Sequence, residues 1–449
     1  MAFEITEEFL ENLIGFIYEN NDSEIKELFA EVHFADIAEV LEEVSFDEAI
    51  YIIKLLDSEK TSEVLTELDE DTRENILENL SAKEIAEEIG EMDSDDAADI
   101  VGELSPERQR RVINALENDE LAADIKELLS YADNTAGALM AKELVKVYET
   151  WTVAGCMRRI RGQAQEVTRV HSIYVVDKED KLVGRLSLKD LIVAKSDQKI
   201  SDISKATVDA VNVNENDEEV AKIMVKYDLE AIPVVNDNNV LLGRITIDDI
   251  VDVLKEEADK DYQMAAGLTQ DVDSDDSIFE LTKARLPWLF LGLIGGVGAF
   301  IIMEGFQDVF TTYASLFFFT PLIAAMAGNV GVQSSAIIVQ GLANDDVKGS
   351  INSRLIKEML LATLNGAILA LFLFLFVWVY EGKIDLALAI SISLVVVIII
   401  AGLIGTFVPL FLNKRGIDPA IATGPFITTS NDIFGILIYF MIAKMILGI

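Results

Sequence analysis

Leu394-Val395-Val396-Val397-Ile398-Ile399-Ile400 lies within a stretch, 386–412, that contains no Asp, Glu, Lys or Arg. A helix needs about 20 apolar residues to cross roughly 30 Å of hydrocarbon, so this run is long enough to span a bilayer. Outward from it, the C-terminal part divides into five apolar runs, at 286–303, 313–343, 355–380, 385–412 and 420–447. The first is short, and the second is long enough to need a break or a tilt. The chain therefore reads as a membrane protein with its termini on opposite sides. Lys283, Arg285, Lys348, Arg354, Lys357, Lys414 and Arg415 fall on the side of the N-terminal region, and Lys383 alone falls in the opposite loops. By the positive-inside rule the N-terminal part is cytosolic and the C-terminus extracellular, with Lys444 snorkelling at the outer face.

Polar residues are unevenly shared among these runs. The second carries Pro321, Gly328, Asn329, Gly331, Gln333, Ser334 and Ser335. The fifth is entered through Asp418-Pro419-Ala420-Ile421-Ala422-Thr423-Gly424-Pro425-Phe426-Ile427-Thr428-Thr429-Ser430-Asn431-Asp432. A carboxylate in hydrocarbon costs roughly 2.5 kcal/mol or more, so Asp432 is expected to face protein or a water-filled path. Broken or polar backbone at membrane depth is tolerated in the same places, so the second and fifth runs are expected to line a path. Gly, Ala and Ser also serve close helix packing, an alternative that stays open for Gly328 and Gly331. The third and fourth runs look lipid-facing.

The chain has 449 residues, 78 Asp and Glu against 36 Lys and Arg, for a net charge of -42. The acidity is concentrated: residues 1–130 hold 39 acids and 9 bases. Such a field repels nucleic acid and attracts cations. One cysteine, Cys156, excludes an intramolecular disulfide. The N-terminus has neither a basic nor an apolar leader region, so no signal peptide is expected.

Written in rows of twelve, residues 34–117 place Phe34, Phe46, Ser58, Glu70, Ala82, Ser94 and Pro106 in the first column. The eighth column reads Leu41, Ile53, Leu65, Leu77, Ile89, Val101 and Ile113, and the eleventh Val44, Leu56, Leu68, Leu80, Met92, Leu104 and Leu116. The last column of the first six rows, Ser45, Asp57, Asp69, Ser81, Asp93 and Ser105, consists of N-cap residues. Each row predicts one short helix, and such helices must stack to bury their apolar faces. The dense run Asp93, Asp95, Asp96 and Asp99 stands out from an otherwise solvated acidic surface.

A second repeat aligns Val175 to Leu191 with Val234 to Ile250, each copy reading strand, polar turn, strand and a Ser/Thr-x-x-Asp helix start. These copies resemble a pair of CBS domains, over about 136–261. Such pairs often bind adenosine nucleotides, so Ser187, Asp190, Thr246 and Asp249 are candidate contacts for ATP or another adenine nucleotide. The same residue pairs are also ordinary helix caps. An acidic connector follows, with Asp252, Glu256, Glu257, Asp259 and Asp261, then Asp271, Asp273, Asp275 and Asp276. Hard oxygen ligands of this kind suit Mg²⁺ or Ca²⁺.

The order of acidic helical repeat, CBS pair, connector and five spans resembles the MgtE family of magnesium channels. The most specific parts of the resemblance are Pro321-Leu322-Ile323-Ala324-Ala325-Met326-Ala327-Gly328-Asn329-Val330-Gly331-Val332-Gln333-Ser334 and the stretch 418–432. It implies a multidomain membrane protein. Its parts are a cytosolic all-α helical-repeat domain (1–130), an α/β tandem CBS pair (131–261), a connector helix (250–282) and a transmembrane domain of five helices (283–449).

The resemblance further implies a homodimer in the cell membrane that takes up Mg²⁺, and no enzyme. Asp432 would bind the hydrated ion in a pore lined by Gly328, Asn329, Gly331, Gln333, Gly424, Pro425, Thr428, Thr429 and Asn431. Cytosolic Mg²⁺ would hold the pore shut through Glu63, Asp95, Asp99, Asp228, Asp249, Asp252, Glu257 and Asp261. Lys260 stands where the family pattern has an acid, which implies altered sensing. Two alternatives remain: an exchanger coupling Mg²⁺ to Na⁺ or H⁺, and a membrane-anchored divalent-cation sensor.

Overall fold

The computed structural model describes residues 3–164, 167, 169–206, 208–270, 272, 276–343, 347, 350–422 and 424–448. Lys348, Asp271, Asp273, Asp275 and Thr423, named above, lie outside these described residues. The chain forms two compact units, Met1–Lys255 and Glu256–Ile449.

In the first unit, helices begin at each predicted position: Phe34–Glu43, Phe46–Ile53, Ser58–Glu67, Glu70–Glu78, Ala82–Ile89, Ser94–Glu103 and Pro106–Ile113. Their starts are fixed locally. The Asp57 and Asp69 side chains accept from the backbone N–H of Lys60 and Thr72, and Ser45/Glu48 and Ser81/Glu84 close capping boxes. All the eighth-column residues are buried. Packing runs between alternate rows: Phe34–Glu43 meets Ser58–Glu67, which meets Ala82–Ile89, which meets Pro106–Ile113. A twelve-residue row is thus half of a structural repeat.

Two three-stranded sheets follow, each with one parallel and one antiparallel pairing. Val145–Tyr148, Ile173–Val176 and Leu182–Leu186 form the first, and Val211–Asn212, Ala231–Val235 and Leu241–Thr246 the second. Val175 pairs with Gly184 as Val234 pairs with Gly243, so the sequence repeat is repeated in register. The helical repeat and the second sheet share one apolar core.

Among the described residues the second unit holds five helices long and apolar enough to cross a membrane: Ile278–Gly305, Ala314–Ala343, Ile351–Glu381, Ile384–Lys414 and Gly424–Leu447. Of the break or tilt expected for the second span, there is no break: the helix is continuous through Pro321, which lies about two turns from its start and removes only one backbone donor. The fourth span, expected to face lipid, is instead the most buried of the five, with 56% of its apolar window covered by the second, third and fifth, while Leu388, Ile392, Phe407 and Phe411 stay exposed. Apolar side chains serve a protein interior and a lipid surface equally well, so hydropathy does not separate the two. The connector is also shorter than expected, a helix Ile247–Ala266, and the first span starts anew from the Ser277/Glu280 capping box.

Candidate functional site

Asp432 lies on the fifth span beside a cavity of 330 Å³ whose other lining includes Gly328, Asn329, Gln333 and Thr428. The second span presents Gly328, Asn329, Val332 and Gln333 as two pairs one turn apart, which puts them on one helix face. Gly328 keeps the space in front of the acid: a Cβ there would stand 3.8 Å from Asp432 Oδ1 and 3.3 Å from Thr428 Cγ2. Thr428 donates its hydroxyl to the Gly424 carbonyl at 3.0 Å. Carboxylate, amide and hydroxyl oxygens around open volume are the groups that hold a hydrated hard cation through its own waters.

The remaining expected lining residues also make contacts between helices. Asn431 is 1% exposed and donates Nδ2 to the Ala327 carbonyl at 3.3 Å, tying the fifth span to the second. Gly331 is pressed against Asn431 on one side and Gly405 of the fourth span on another. Thr429 packs on Gly295 of the first span, and Gly424 and Pro425 abut Ala265 and Gly267. Each of these five therefore makes a helix contact within this chain. A second acid at the spans, Glu358, accepts from Ser334 Oγ at 2.6 Å and sits against Gly402. Its signal in the sequence was an acid inside the third apolar run.

In the first unit, carboxylate oxygens of Asp93, Asp95 and Glu143 lie within 4.8 Å of one another. Loss of water around the Asp95 carboxyl, then repulsion from Asp249 and Asp96, pushes it well above the usual carboxylate range. Asp96 is exposed as a residue, yet protein crowds its carboxyl. That burial, with the charges of Asp249, Asp93, Asp99 and Glu63, raises it to about 7. Asp249 rises to about 6 through burial, against the opposing pull of two 2.8 Å hydrogen bonds from Thr246 N–H and Oγ1. Acids displaced this far have too little positive charge nearby, and their donor set is all hard oxygen. That fits a small divalent cation.

Of the expected regulatory residues, Glu63, Asp95, Asp99 and Asp249 belong to this group, and Asp93, Asp96 and Glu143 join them. Glu143 escaped notice because it stands alone in the link to the first CBS strand. Asp252 is exposed on its helix. Asp228, at φ 49°, lines a different cavity. Glu257 and Asp261 belong to the second unit, where Lys260 Nζ donates to Glu257 Oε1 at 2.9 Å.

That other cavity, of 340 Å³, lies between the CBS copies and is lined by His171, Arg185, Ser187, Asp190, Lys205 and Tyr227 among others. Cations for phosphate, an acid for a ribose and an aromatic ring for a base converge there. Ser187 and Asp190 are hydrogen-bonded to each other at 2.7 Å on its wall. Thr246 and Asp249 are not part of it. The second Ser/Thr-x-x-Asp pair caps its helix beside the acidic group, so the two repeated pairs lie in different surroundings.

Comparison with known proteins assigns the parts. The MgtE model, described as divalent cation transporter, matches residues 320–442. The MgtE intracellular N domain matches 32–134, and CBS domains match 136–197 and 200–256. The magnesium transporter MgtE of Enterococcus faecalis is 38% identical over 72% of this chain and 71% of its own length. That of Bacillus subtilis is 33% identical over 71% of each. A crystal structure of the cytosolic domain of the Mg²⁺ channel MgtE in complex with ATP is 31% identical, with a TM-score of 0.52, covering 54% of this chain and 99% of that one. Likeness of this degree over 71% of full-length relatives, on a chain with five candidate spans, makes this multi-pass membrane protein a member of the MgtE family.

Proposed function

We propose that this chain mediates Mg²⁺ uptake as a homodimeric channel, with one Asp432 from each protomer binding the hydrated ion. The observation that carries this reading is the Asp432 carboxylate, within a membrane span, beside a cavity lined by Asn329, Gln333 and Thr428. Mg²⁺ sheds water reluctantly, so outer-sphere hydrogen bonds to carboxylate and amide oxygen give a site that both holds and releases it. The membrane potential drives entry by about 2.3 kcal/mol per charge per 100 mV, and a divalent ion gains twice that. The Lys and Arg distribution supports a cytosolic N-terminal part.

Mg²⁺ uptake into liposomes under an imposed potential tests the pore. Asp432→Ala and Asp432→Asn are each expected to lower flux by roughly tenfold or more, the scale of losing a charged ligand. Near-normal flux in both would sink the assignment. Flux that requires a Na⁺ or H⁺ gradient would instead favour the exchanger.

Cytosolic Mg²⁺ closes the channel by binding Glu63, Asp95, Asp99 and Asp249 with Asp93 and Glu143. The ion would supply the positive charge those crowded acids lack. The cavity at Arg185, Ser187, Asp190 and Lys205 takes an adenine nucleotide, a reading favoured by its mixture of cationic, acidic and aromatic walls. ATP binding measured by calorimetry is expected to be lost in Asp190→Ala and kept in Thr246→Ala.

A further inference from the structure

A base enters the acidic group of the first unit. Arg244, in the strand Leu241–Thr246, is 6% exposed. It donates from Nη2 to Asp93 Oδ2 at 3.3 Å and from Nη1 to the Arg169 carbonyl at 3.3 Å, and its Nε has no partner among the described residues. Asp93 holds the N-cap position of Ser94–Glu103, yet its side chain caps nothing, unlike those of Asp57 and Asp69. Its carboxylate is turned to the guanidinium instead.

The surrounding contacts make this corner a junction between the helical repeat and the CBS pair. Ser94 donates its hydroxyl to Glu143 Oε2 at 2.9 Å and accepts from Lys142 N–H at 2.9 Å. The Arg244 and Ala141 backbones exchange two hydrogen bonds, at 2.8 and 2.9 Å. Lys142 turns its ammonium to Glu127 at 2.8 Å, on the helix Asp119–Leu128. Asp93, Asp95 and Glu143 therefore crowd together at this junction with Arg244 as the base hydrogen-bonded into the group.

We propose that Arg244 is a tethered counter-ion that holds the start of helix Ser94–Glu103 against the CBS pair when no divalent ion is bound. A buried guanidinium attracts its carboxylate far more strongly than a solvated one, and removing it leaves Asp93 uncompensated among like charges. A metal ion on Asp93, Asp95 and Glu143 would draw on the same carboxylate, so guanidinium and metal partly replace one another. Part of the docking of the helical repeat is thereby independent of metal. The inference deepens the regulatory reading above, and rests on it only for what metal adds.

Amide hydrogen exchange of the full-length protein in detergent provides the test, comparing the natural chain with Arg244→Gln, Arg244→Met and Arg244→Lys, in EDTA and in saturating Mg²⁺. In EDTA, peptides from Ser94–Glu103 are expected to exchange roughly tenfold faster or more in Arg244→Gln than in the natural chain, with Arg244→Lys slow. Unchanged exchange in Ala231–Val235 shows the sheet intact. Should Arg244→Gln loosen that sheet, Arg244→Met, which fills similar volume without charge, takes its place with the same expectation. Saturating Mg²⁺ is expected to slow the neutral variants more than the natural chain. Exchange in the folded neutral variants equal to that of the natural chain in EDTA would overturn the proposal, as would an Arg244→Lys chain as fast as they are. Failure of the regulatory reading shows separately, as exchange that Mg²⁺ alters in none of the chains.

Discussion

A methyl group added at Gly405 would run into the carbonyl of Gly331 and force the second and fourth spans apart. The same addition at Gly366, where the third span meets the fourth, finds its nearest atom, Val395 Cα, at 3.4 Å, an ordinary contact. Gly405→Ala is therefore expected to destabilise the spans by roughly 1–3 kcal/mol, the usual cost of overpacking. Gly366→Ala should be near neutral. Thermal unfolding in detergent separates the two, and equal midpoints would mean that the spans separate at no cost. Because Gly331 also meets Asn431, the neighbour of Asp432, the Gly405 variant should lower Mg²⁺ flux as well as stability.

The repeat helices were legible in the sequence because each carries its own boundaries, a cap residue at its start and apolar residues on one face. Their stability divides accordingly. Leu65, wholly buried in Ser58–Glu67, should cost about 2–5 kcal/mol when cut to Ala, whereas Asp57→Ala removes one cap and should cost about 1 kcal/mol. Urea unfolding of the full chain, followed by exchange within the repeat, should rank them in that order; the reverse order would mean that the rows hold mainly by their caps. Membrane helices were legible as elements for the same reason of local composition. Their contacts were not: nothing in the sequence joins Asn431 to the Ala327 carbonyl or Gly331 to Gly405, and the fourth span, read as lipid-facing, is the most buried of the five. A polar or small residue suits a water path and a close helix contact alike. The junction at Arg244 was illegible for another reason, since Asp93 and Arg244 are 151 residues apart and only folding joins them.

At the scale of the whole molecule, the excess of acid over base becomes a dependence on pH and on metal. Asp93, Asp95, Asp96 and Asp249 all bind their protons more tightly in the folded first unit than at the ordinary value of 3.8, Asp96 to about 7 and Asp249 to about 6. The folded state then holds more protons than the unfolded chain between those values. Stability is accordingly greatest below the unfolded value and falls as pH rises toward 7. His171, held below its usual range by burial and by Arg244, works in the opposite sense, but as one group against four. Glu84 and Glu127, which are lowered, lose their contributions only below the ordinary value of 4.5. In EDTA, amide exchange in the helices from Phe34 to Ile113, corrected for its intrinsic pH dependence, should therefore be slower at about pH 5.5 than at about pH 8. Mg²⁺ should restore protection mainly at the higher pH, where the carboxylates are ionised and available to it. Equal protection at both pH values without metal would mean that the acids are neutralised within the fold, and the case for a regulatory cation there would fall with it.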